Sequence, residues 1–586
     1  MSEVGQSRKL GEMKNLFLQN IKEIIEKAII EAGFEIKSID IHIEKTKNPE
    51  HGHFATNTAL LIAGKYGIKP RDAAEKIEKY IKADVIEKTA IAGPGFINMW
   101  LKTEYYSNIC KDMLDDIDSY LKGVIQLEEK QTMMLDYSSP NVAKPLGVHH
   151  LLSTIIGDGI KHIYKKVGYN VISDNYLGDM GTQFGKLIFA IKKWGDEKEI
   201  AKDPINTLLN LYVLFHNEAE KDSSIEDEAR GEFKKFEDGD EINRKWWRKI
   251  VDWSLLELKP LYERLDIEFD YMHGESFYED KMGEILKKGR EDKVFVDGNN
   301  GAWIVMPNDP NDSPAIVRKS DGSTIYLTRD LAQTKYWEDT FKPDLMVWVV
   351  DVAQSLHFRQ RFDASKKLNQ TSAPMVHVNF GRMQFKDGAM STRKGNMVRL
   401  DDLLDEAEKR AHNTIDDKGI DLSEHEKKEL SRIMGIGSVK YNILSQNRTT
   451  NITFDWDRML SFEGNSAPYL MYTFARAKSI IRKSEVNLGS IESFKLVDLG
   501  DCEMEILTDV LMYPDVLVRA MEEFKPNHIA NYLYHLAQSF NTFYNAEQIL
   551  KTEDKLLKSR LKIVATVMTI IEDGLSLLGL EVPEKM

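Results

Sequence analysis

Residues 132–173 read TMMLDYSSPNVAKPLGVHHLLSTIIGDGIKHIYKKVGYNVIS, and this stretch decides the fold. MMLDYSSPN begins as an apolar strand and ends in a turn. From Leu151 to Val167 the apolar residues Leu152, Ile155, Ile156, Ile160, Ile163, Tyr164 and Val167 recur at helical spacing, and Gly168 stops them. A new strand opens at Asn170. Strand, helix and strand in so short a span form a βαβ unit, so the strands are parallel and covered by helices.

Outward from this unit, the same sheet resumes at LMVWVVDV (345–352) and VHVNFG (376–381). Between lies a highly charged insertion, about 190–320, expected to be helical; its IEDEARGEFKKFEDGDE run reads as a solvated face. Lys122 to Lys130 reads as a polar linker. Before it, a helix through Leu18, Ile21, Ile25 and Ile29 ends at Gly33, and Ile39, Ile41 and Ile43 alternate as a strand. A Pro/Gly/His turn (48–53), a helix from Pro70 and the FINMW strand after Gly93-Pro94-Gly95 complete a small α+β domain. Beyond about 460 only helical patterns run on, among them YLYHLAQSFNTFY and IVATVMTIIEDGLSLLG.

The chain's 586 residues correspond to about three or four domains. Composition is that of a globular protein, 42% hydrophobic and 30% charged. Two cysteines, Cys110 and Cys502, make no disulfide framework or thiolate metal site and suit a reducing compartment. No apolar run suits a membrane span or secretion signal. A net charge of −15 argues against indiscriminate binding to nucleic acid but leaves room for a specific RNA partner on a local basic surface.

Two clusters could carry chemistry. Residues 138–150 bring hydroxyls, an amide, Lys144 and two imidazoles to a helix N-terminus, whose free N–H groups and dipole favour a phosphate. Capping and turn closure would account for the same residues. Neither a GxGxxG fingerprint nor a Walker loop is present; Gly181-Thr182-Gln183-Phe184-Gly185-Lys186 has the wrong spacing. The second cluster, KDGAMSTRKGN (386–396), could close over a polyphosphate and neutralise a departing pyrophosphate, or be a solvated basic loop.

Together the clusters resemble the class I aminoacyl-tRNA synthetases, and within them the arginyl-tRNA synthetases. SSPNVAKPLGVHHLLSTIIGD is similar to the family's first signature, NYLGDMGTQFGKL to its next block, and AMSTRKGN stands at its second signature. DGSTIYLTRDLAQ, FDWDRMLSFEGNSAPYLMYTFARA and LLGLEVPEKM also resemble it, and AGPGFINMWL resembles its tRNA-contacting additional domain. The resemblance implies a Rossmann-like α/β catalytic domain (131–455, with the 190–320 insertion). It also implies a small α+β N-terminal domain (1–121) and an all-helical anticodon-binding domain (460–586).

The activity implied is ATP-dependent conversion of L-arginine to an adenylate and its transfer to tRNA(Arg). ATP with Mg2+ is then a substrate, and no tightly bound cofactor, protein-held metal or membrane is expected; a cytoplasmic monomer is. Lys144, His150, Arg393 and Lys394 would be catalytic. Pro145, Gly147, His149, His150, Ser391 and Thr392 would bind ATP. For arginine, Asp136, Ser138, Asn141, Tyr326, Asp330 and Gln354 stand at the family positions. A five-donor guanidinium calls for such carboxylates and acceptors, and Tyr326 and Asp330, four apart, would share a helical face; Asp330 as an N-cap and Tyr326 as core remain open. Candidate tRNA contacts are Phe54, Asn57, Arg476, Tyr544, Arg560 and Met586, with Phe543 another possible stacking surface, though core packing accounts for most aromatics of that region.

Five positions depart from the family pattern. Gly147 stands for a histidine, His149 for a glycine, Leu152 for an arginine, Ala389 for a lysine and Met180 for a tryptophan, and the segment VVDVAQ (349–354) differs from the family's glycine-containing form. Because these gather around the ATP signatures, the alternative expectation is a synthetase-like tRNA-binding protein with an impaired ATP site.

Overall fold

The computed structural model describes residues 16–586 apart from 38, 47, 126, 128, 129 and 387–398. Strand β1 (Thr132–Asp136) leads through a long turn into helix α1 (Val148–Lys166), which returns to strand β2 (Asn170–Asp174). β1 and β2 pair in parallel, Thr132 opposite Asn170 and Asp136 opposite Asp174. Gly157 lets α1 lie against the turn: a Cβ there would come within 2.3 Å of the Tyr137 ring. Gly168 takes a φ of +104°, the left-handed stop that glycine permits.

The insertion follows β2. Its helices include Thr182–Trp194, α2 (Pro204–Lys221), Ser224–Glu237 and α3 (Glu241–Arg264). It is not wholly helical, because Phe295–Asp297, Trp303–Val305 and Ala315–Arg318 form an antiparallel three-stranded sheet. The chain then re-enters the parallel core through α4 (Tyr326–Phe341), β3 (Leu345–Asp351), α5 (Ser355–Lys367) and β4 (Met375–Phe380). The strand order is β4-β3-β1-β2. The chain moves outward one way from β1 to β2 and the other way from β3 to β4. The β1/β3 boundary is therefore the switch point, where open parallel sheets bind ligands at their carboxyl ends. Asp136, the last residue of β1, sits there opposite Trp348.

The N-terminal part is a four-stranded antiparallel sheet, Ile43–Lys45, Phe54–Thr56, Phe96–Leu101 and Ile86–Ala92 in spatial order, with helices Phe17–Glu31, Thr58–Tyr66 and Pro70–Glu78. Of the expected strand through Ile39, Ile41 and Ile43, only Ile43 enters the ladder, whose strand runs Ile43–Lys45, although Ile41 is buried between exposed Asp40 and His42. The expected linker begins later than the charge pattern suggests. A helix spans Thr103–Ile125, and its last turns bury Leu121 and Ile125. Five long helices, Ala467–Lys483, Asp501–Leu511, Tyr513–Glu522, Asn527–Ala546 and Asp554–Leu577, build the C-terminal part. Lys166, at the end of α1, ion-pairs with both Asp118 and Asp573 and so ties the three parts together.

Candidate active site

The turn between β1 and α1 is held open by a web of hydrogen bonds. Ser138, Ser139 and Ala143 all adopt positive φ (75°, 47° and 66°), a costly conformation for residues with a side chain. The Ser138 N–H donates to Ser153 Oγ (3.0 Å), that of Ser139 to Asn175 Oδ1 (3.0 Å) and that of Ala143 to Ser254 Oγ on α3 (2.8 Å). Ser138 Oγ shares a 2.7 Å bond with Tyr262 OH, and Ser139 Oγ donates to Asp136 (2.7 Å). Gly178 pairs with the turn at Asn141, where a Cβ would meet Asn141 Oδ1 at 2.2 Å. Two neighbouring elements, the chain after β2 and the insertion's α3, therefore fix this turn from outside.

At the turn's end Gly147 is the N-cap of α1, and its N–H donates to His150 Nδ1 (3.2 Å). That bond leaves the ring proton of a neutral His150 on Nε2, as a donor. Pro145 and Gly147 are buried, His150 is half-buried and Lys144 is exposed, its ammonium 5.3 Å from the centre of the Tyr212 ring. The helix N-terminus and Lys144 together make an anion-favouring mouth. Ser391, Thr392, Arg393 and Lys394, with Ala389, lie outside the described residues. Two of the five departures are packing positions: Leu152 and Met180 are each 2% exposed, inside the core.

Beside this mouth is a cluster of buried acidic side chains. Asp330 lies one turn into α4, so it is no N-cap. It is buried, hydrogen-bonded to His357 Nε2 (2.5 Å) and 3.8 Å from Arg361 Nη1. Burial opposes its charge, but Arg361, the His357 bond and Arg329 outweigh burial and hold it below the usual carboxylate range. Tyr326, four residues earlier, is 59% exposed and so is not core. Arg361 also donates to Gln333 Oε1 (2.7 Å), and Gln333 Nε2 approaches Asp136 at 3.4 Å. Burial, with Asp174 nearby, pushes Asp136 up to about 7 despite the bonds from Ser139 and Gln333.

Glu275 carries no signal in the sequence, yet it completes this cluster. The chain around Tyr271 and Gly274 runs beside residues 174–177 and delivers Glu275 to the site. It is buried, its Oε2 is 3.4 Å from Arg329, and burial with Asp330 and Asp179 nearby pushes it up to about 8. Glu275 Oε2, Tyr176 OH and Tyr278 OH are buried polar atoms with no hydrogen-bond partner in the protein. Each tyrosine lies near carboxylates of the cluster, Asp330 and Glu275 for Tyr176, Asp174 and Asp136 for Tyr278. Buried polar atoms are rarely left unmatched, so a cluster of them beside carboxylates is suited to a donor-rich cation.

Not every expected arginine residue enters this network. Asp136 and Asp330 belong to it, Tyr326 touches its edge with the Arg329 guanidinium 5.9 Å from the ring centre, Ser138 supports the adjoining turn, and Asn141 is exposed on that turn. Gln354 is exposed on a 3-10 turn after β3. The strand stops three residues earlier, at Asp351, whose carboxylate caps the turn by accepting the Ala353 N–H (2.7 Å).

A second site lies in the helical C-terminal part. Arg476 is sandwiched between the rings of Tyr472 (4.7 Å) and Tyr544 (4.6 Å), both partly exposed. With Lys483, Lys551, Gln548 and Met586 they line a cleft of about 640 Å³. Arg476, Tyr544 and Met586 thus come together as the sequence suggests. Arg560 and Phe543 do not join them. Phe543 is fully buried, and Arg560 is buried in ion pairs with Glu503 (3.1 Å) and Glu547, which a phosphate would have to displace. In the N-terminal sheet Phe54 is core, packed on Phe17 at 4.7 Å. Asn57 is half-buried, its Oδ1 unpartnered in the protein.

A helix N-terminus that favours anions at the switch point, beside a buried acidic cluster, suits an enzyme that joins a phosphate-bearing and a cationic substrate. Comparison with known proteins agrees. Residues 115–456 match the family of class I tRNA synthetases (R), catalytic domain; residues 470–586 match the DALR anticodon binding domain; residues 19–101 match the arginyl tRNA synthetase N terminal domain. The arginine–tRNA ligase of Fusobacterium nucleatum is 40% identical over 98% of this chain and 99% of its own length. That of Clostridium beijerinckii is 38% identical over 97% and 100%. The crystal structure of arginyl-tRNA synthetase from Plasmodium falciparum superposes with a TM-score of 0.82 at 26% identity, covering 98% of this chain and all of that one. The chain belongs to the arginyl-tRNA synthetases of class I.

Proposed function

We propose that this chain is an arginine–tRNA ligase, activating L-arginine with ATP and transferring it to the 3′ end of tRNA(Arg). The observation that carries the reading is the buried acidic cluster, with the partnerless Tyr176 and Tyr278 hydroxyls and a Glu275 Oε2 that meets only the Arg329 charge at 3.4 Å and accepts no hydrogen bond in the protein, beside the anion-favouring N-terminus of α1. In the proposed arrangement Asp330 and Glu275 grip the guanidinium in a fork, with Tyr326 at the rim and Asp136 and Asn141 toward the α-amino end. A lysine ammonium, a compact point charge, would leave part of that fork unpaired.

Mg2+–ATP is a substrate here rather than a resident cofactor. Its phosphates are proposed to lie at the α1 N-terminus, met by Lys144 and the His150 Nε2–H, with Ser391, Thr392, Arg393 and Lys394 closing from the second signature. Pro145, Gly147 and His149 would flank the nucleotide. The arginine carboxylate attacks the α-phosphorus in line, the bond to the β-phosphate oxygen breaks, and pyrophosphate leaves. The chain's cations offset the charge growing on phosphate oxygens, and alignment supplies the rest of the acceleration. The tRNA's terminal ribose hydroxyl then attacks the activated carbonyl, and AMP departs. For the tRNA, the Tyr472–Arg476–Tyr544 cleft with Met586 offers stacking surfaces to unpaired bases, and Asn57 offers an acceptor from the N-terminal sheet. Translation in the cytoplasm, as a monomer, is the setting proposed.

The alternative of an RNA-binding relative with an impaired ATP site finds no support. Leu152 and Met180 are core residues, and the full-length relatives reported above carry the name of the ligase. Isotopic ATP–pyrophosphate exchange tests the proposal. Exchange that requires arginine, measured with tRNA(Arg) present, is expected; a folded protein that exchanges no faster than background would refute it.

A further inference from the structure

Lys144 is the exposed cation of the nucleotide mouth, and a lysine there faces two difficulties. Its stem has about 2 kcal/mol of rotamer freedom to lose. The positive end of the α1 dipole also repels it, so without a hold it would swing into solvent. The hold that the structure supplies comes from the insertion. The Lys144 ammonium stands 5.3 Å from the centre of the Tyr212 ring on α2, within the reach of a cation–π contact.

Tyr212 is itself braced. His216, one helical turn on, meets its ring edge-on at 4.6 Å and 72°. The buried Phe215 meets His216 in turn at 5.5 Å and 89° and anchors α2 in the core. Lys186 covers Phe215 at 5.2 Å and pairs with Glu226 at 2.8 Å. Burial lowers the His216 pKa, Lys186 and Lys144 lower it further, and Glu226 and Glu220 oppose them. A neutral imidazole buttresses Tyr212 without repelling the nearby ammonium.

We propose that Tyr212, braced by His216, is a positioning residue that holds the Lys144 ammonium at the ATP phosphates. The charged insertion thereby reaches the chemistry, through one aromatic face laid under one cation. This rests on the assignment of Lys144 to ATP in the proposed function.

A double-mutant cycle tests it on the full chain, with Mg2+–ATP, arginine and tRNA(Arg), read by pyrophosphate exchange as kcat/KM for ATP and KM for arginine. Lys144→Met is expected to lower kcat/KM for ATP on the order of a hundredfold. Tyr212→Leu is expected to lower it roughly three- to thirtyfold with KM for arginine unmoved. The double variant should be no worse than Lys144→Met alone, and Tyr212→Phe, which keeps the ring, should recover most of the loss. Additive losses in the double variant, or an unimpaired Tyr212→Leu beside an impaired Lys144→Met, overturn the positioning role and leave the ATP assignment of Lys144 standing. An unimpaired Lys144→Met overturns both. A Tyr212→Leu protein that loses arginine and ATP affinity equally shows general disruption and also overturns the proposal.

Discussion

The two halves of the site, a few residues apart along the sheet edge, are built on opposite principles. The acidic cluster proposed for arginine is buried and prearranged: Asp330 already has His357 and Arg361, and Asp136 has Ser139 and Gln333. The nucleotide mouth is open, with an exposed Lys144, a half-buried His150 and a strained turn pinned from α3 and from the chain after β2. The contrast follows the ligands. A guanidinium must be told apart from an ammonium, which takes a rigid fork in a low-dielectric site. A triphosphate is recognised by charge at a helix N-terminus and must release pyrophosphate, which favours a mouth open to solvent whose exposed cation is held from one side.

The sharpest way to break this contrast is to remove the buried charge. Asp330→Asn leaves Arg361 without its nearest carboxylate and deprives the guanidinium of an ionic partner. A loss of about 100- to 1,000-fold in kcat/KM for arginine is expected, with KM for ATP little changed. Steady-state exchange kinetics decide it; equal damage to both substrates would mean that the two halves are not separate.

The cluster's pH behaviour sharpens the contrast. Glu275, at about 8 in the free protein, is largely protonated at pH 7, and a bound guanidinium favours its carboxylate. Arginine binding therefore expels a proton. KM for arginine should fall as pH rises from about 6 to about 8, by up to about tenfold per unit, and then level off. Glu275→Gln should remove the Glu275 part of the fall, leaving the part that Asp136, pushed up to about 7, contributes, and raise KM roughly tenfold at pH 8. A wild-type profile already flat over that range would contradict the assignment.

The smallest effect is expected farthest from the sheet. Tyr472→Ala or Tyr544→Ala opens one side of the Arg476 sandwich and should raise KM for tRNA(Arg) roughly tenfold, without altering KM for ATP or arginine. Aminoacylation kinetics over a range of tRNA concentrations measure it.

How much of this was legible in the sequence depends on whether the deciding contacts are local. The β1–α1–β2 unit could be read because apolar spacing and Gly168 are local signals, although the helix begins at Val148, three residues before its apolar stripe. The strand Ile86–Ala92 went unread because its alternation is broken by charged and small residues, and the three-residue strands of 295–318 are too short to show a period. Tyr326 and Asp330 were readable as an i, i+4 pair. Glu275, Gln333 and Arg361 were not, since their partners lie tens of residues away and only the folded sheet assembles them. Phe54 and Arg560 show the converse: residue types that suit RNA, taken up by the core and by two carboxylates.

The central claim is that one sheet edge activates arginine for a tRNA. It is tested most directly by charging tRNA(Arg) with labelled arginine and with labelled lysine, ATP present. The account predicts arginine bound to the tRNA in near-stoichiometric yield and lysine at background. A folded protein that binds the tRNA but attaches neither amino acid, or attaches both alike, would contradict it.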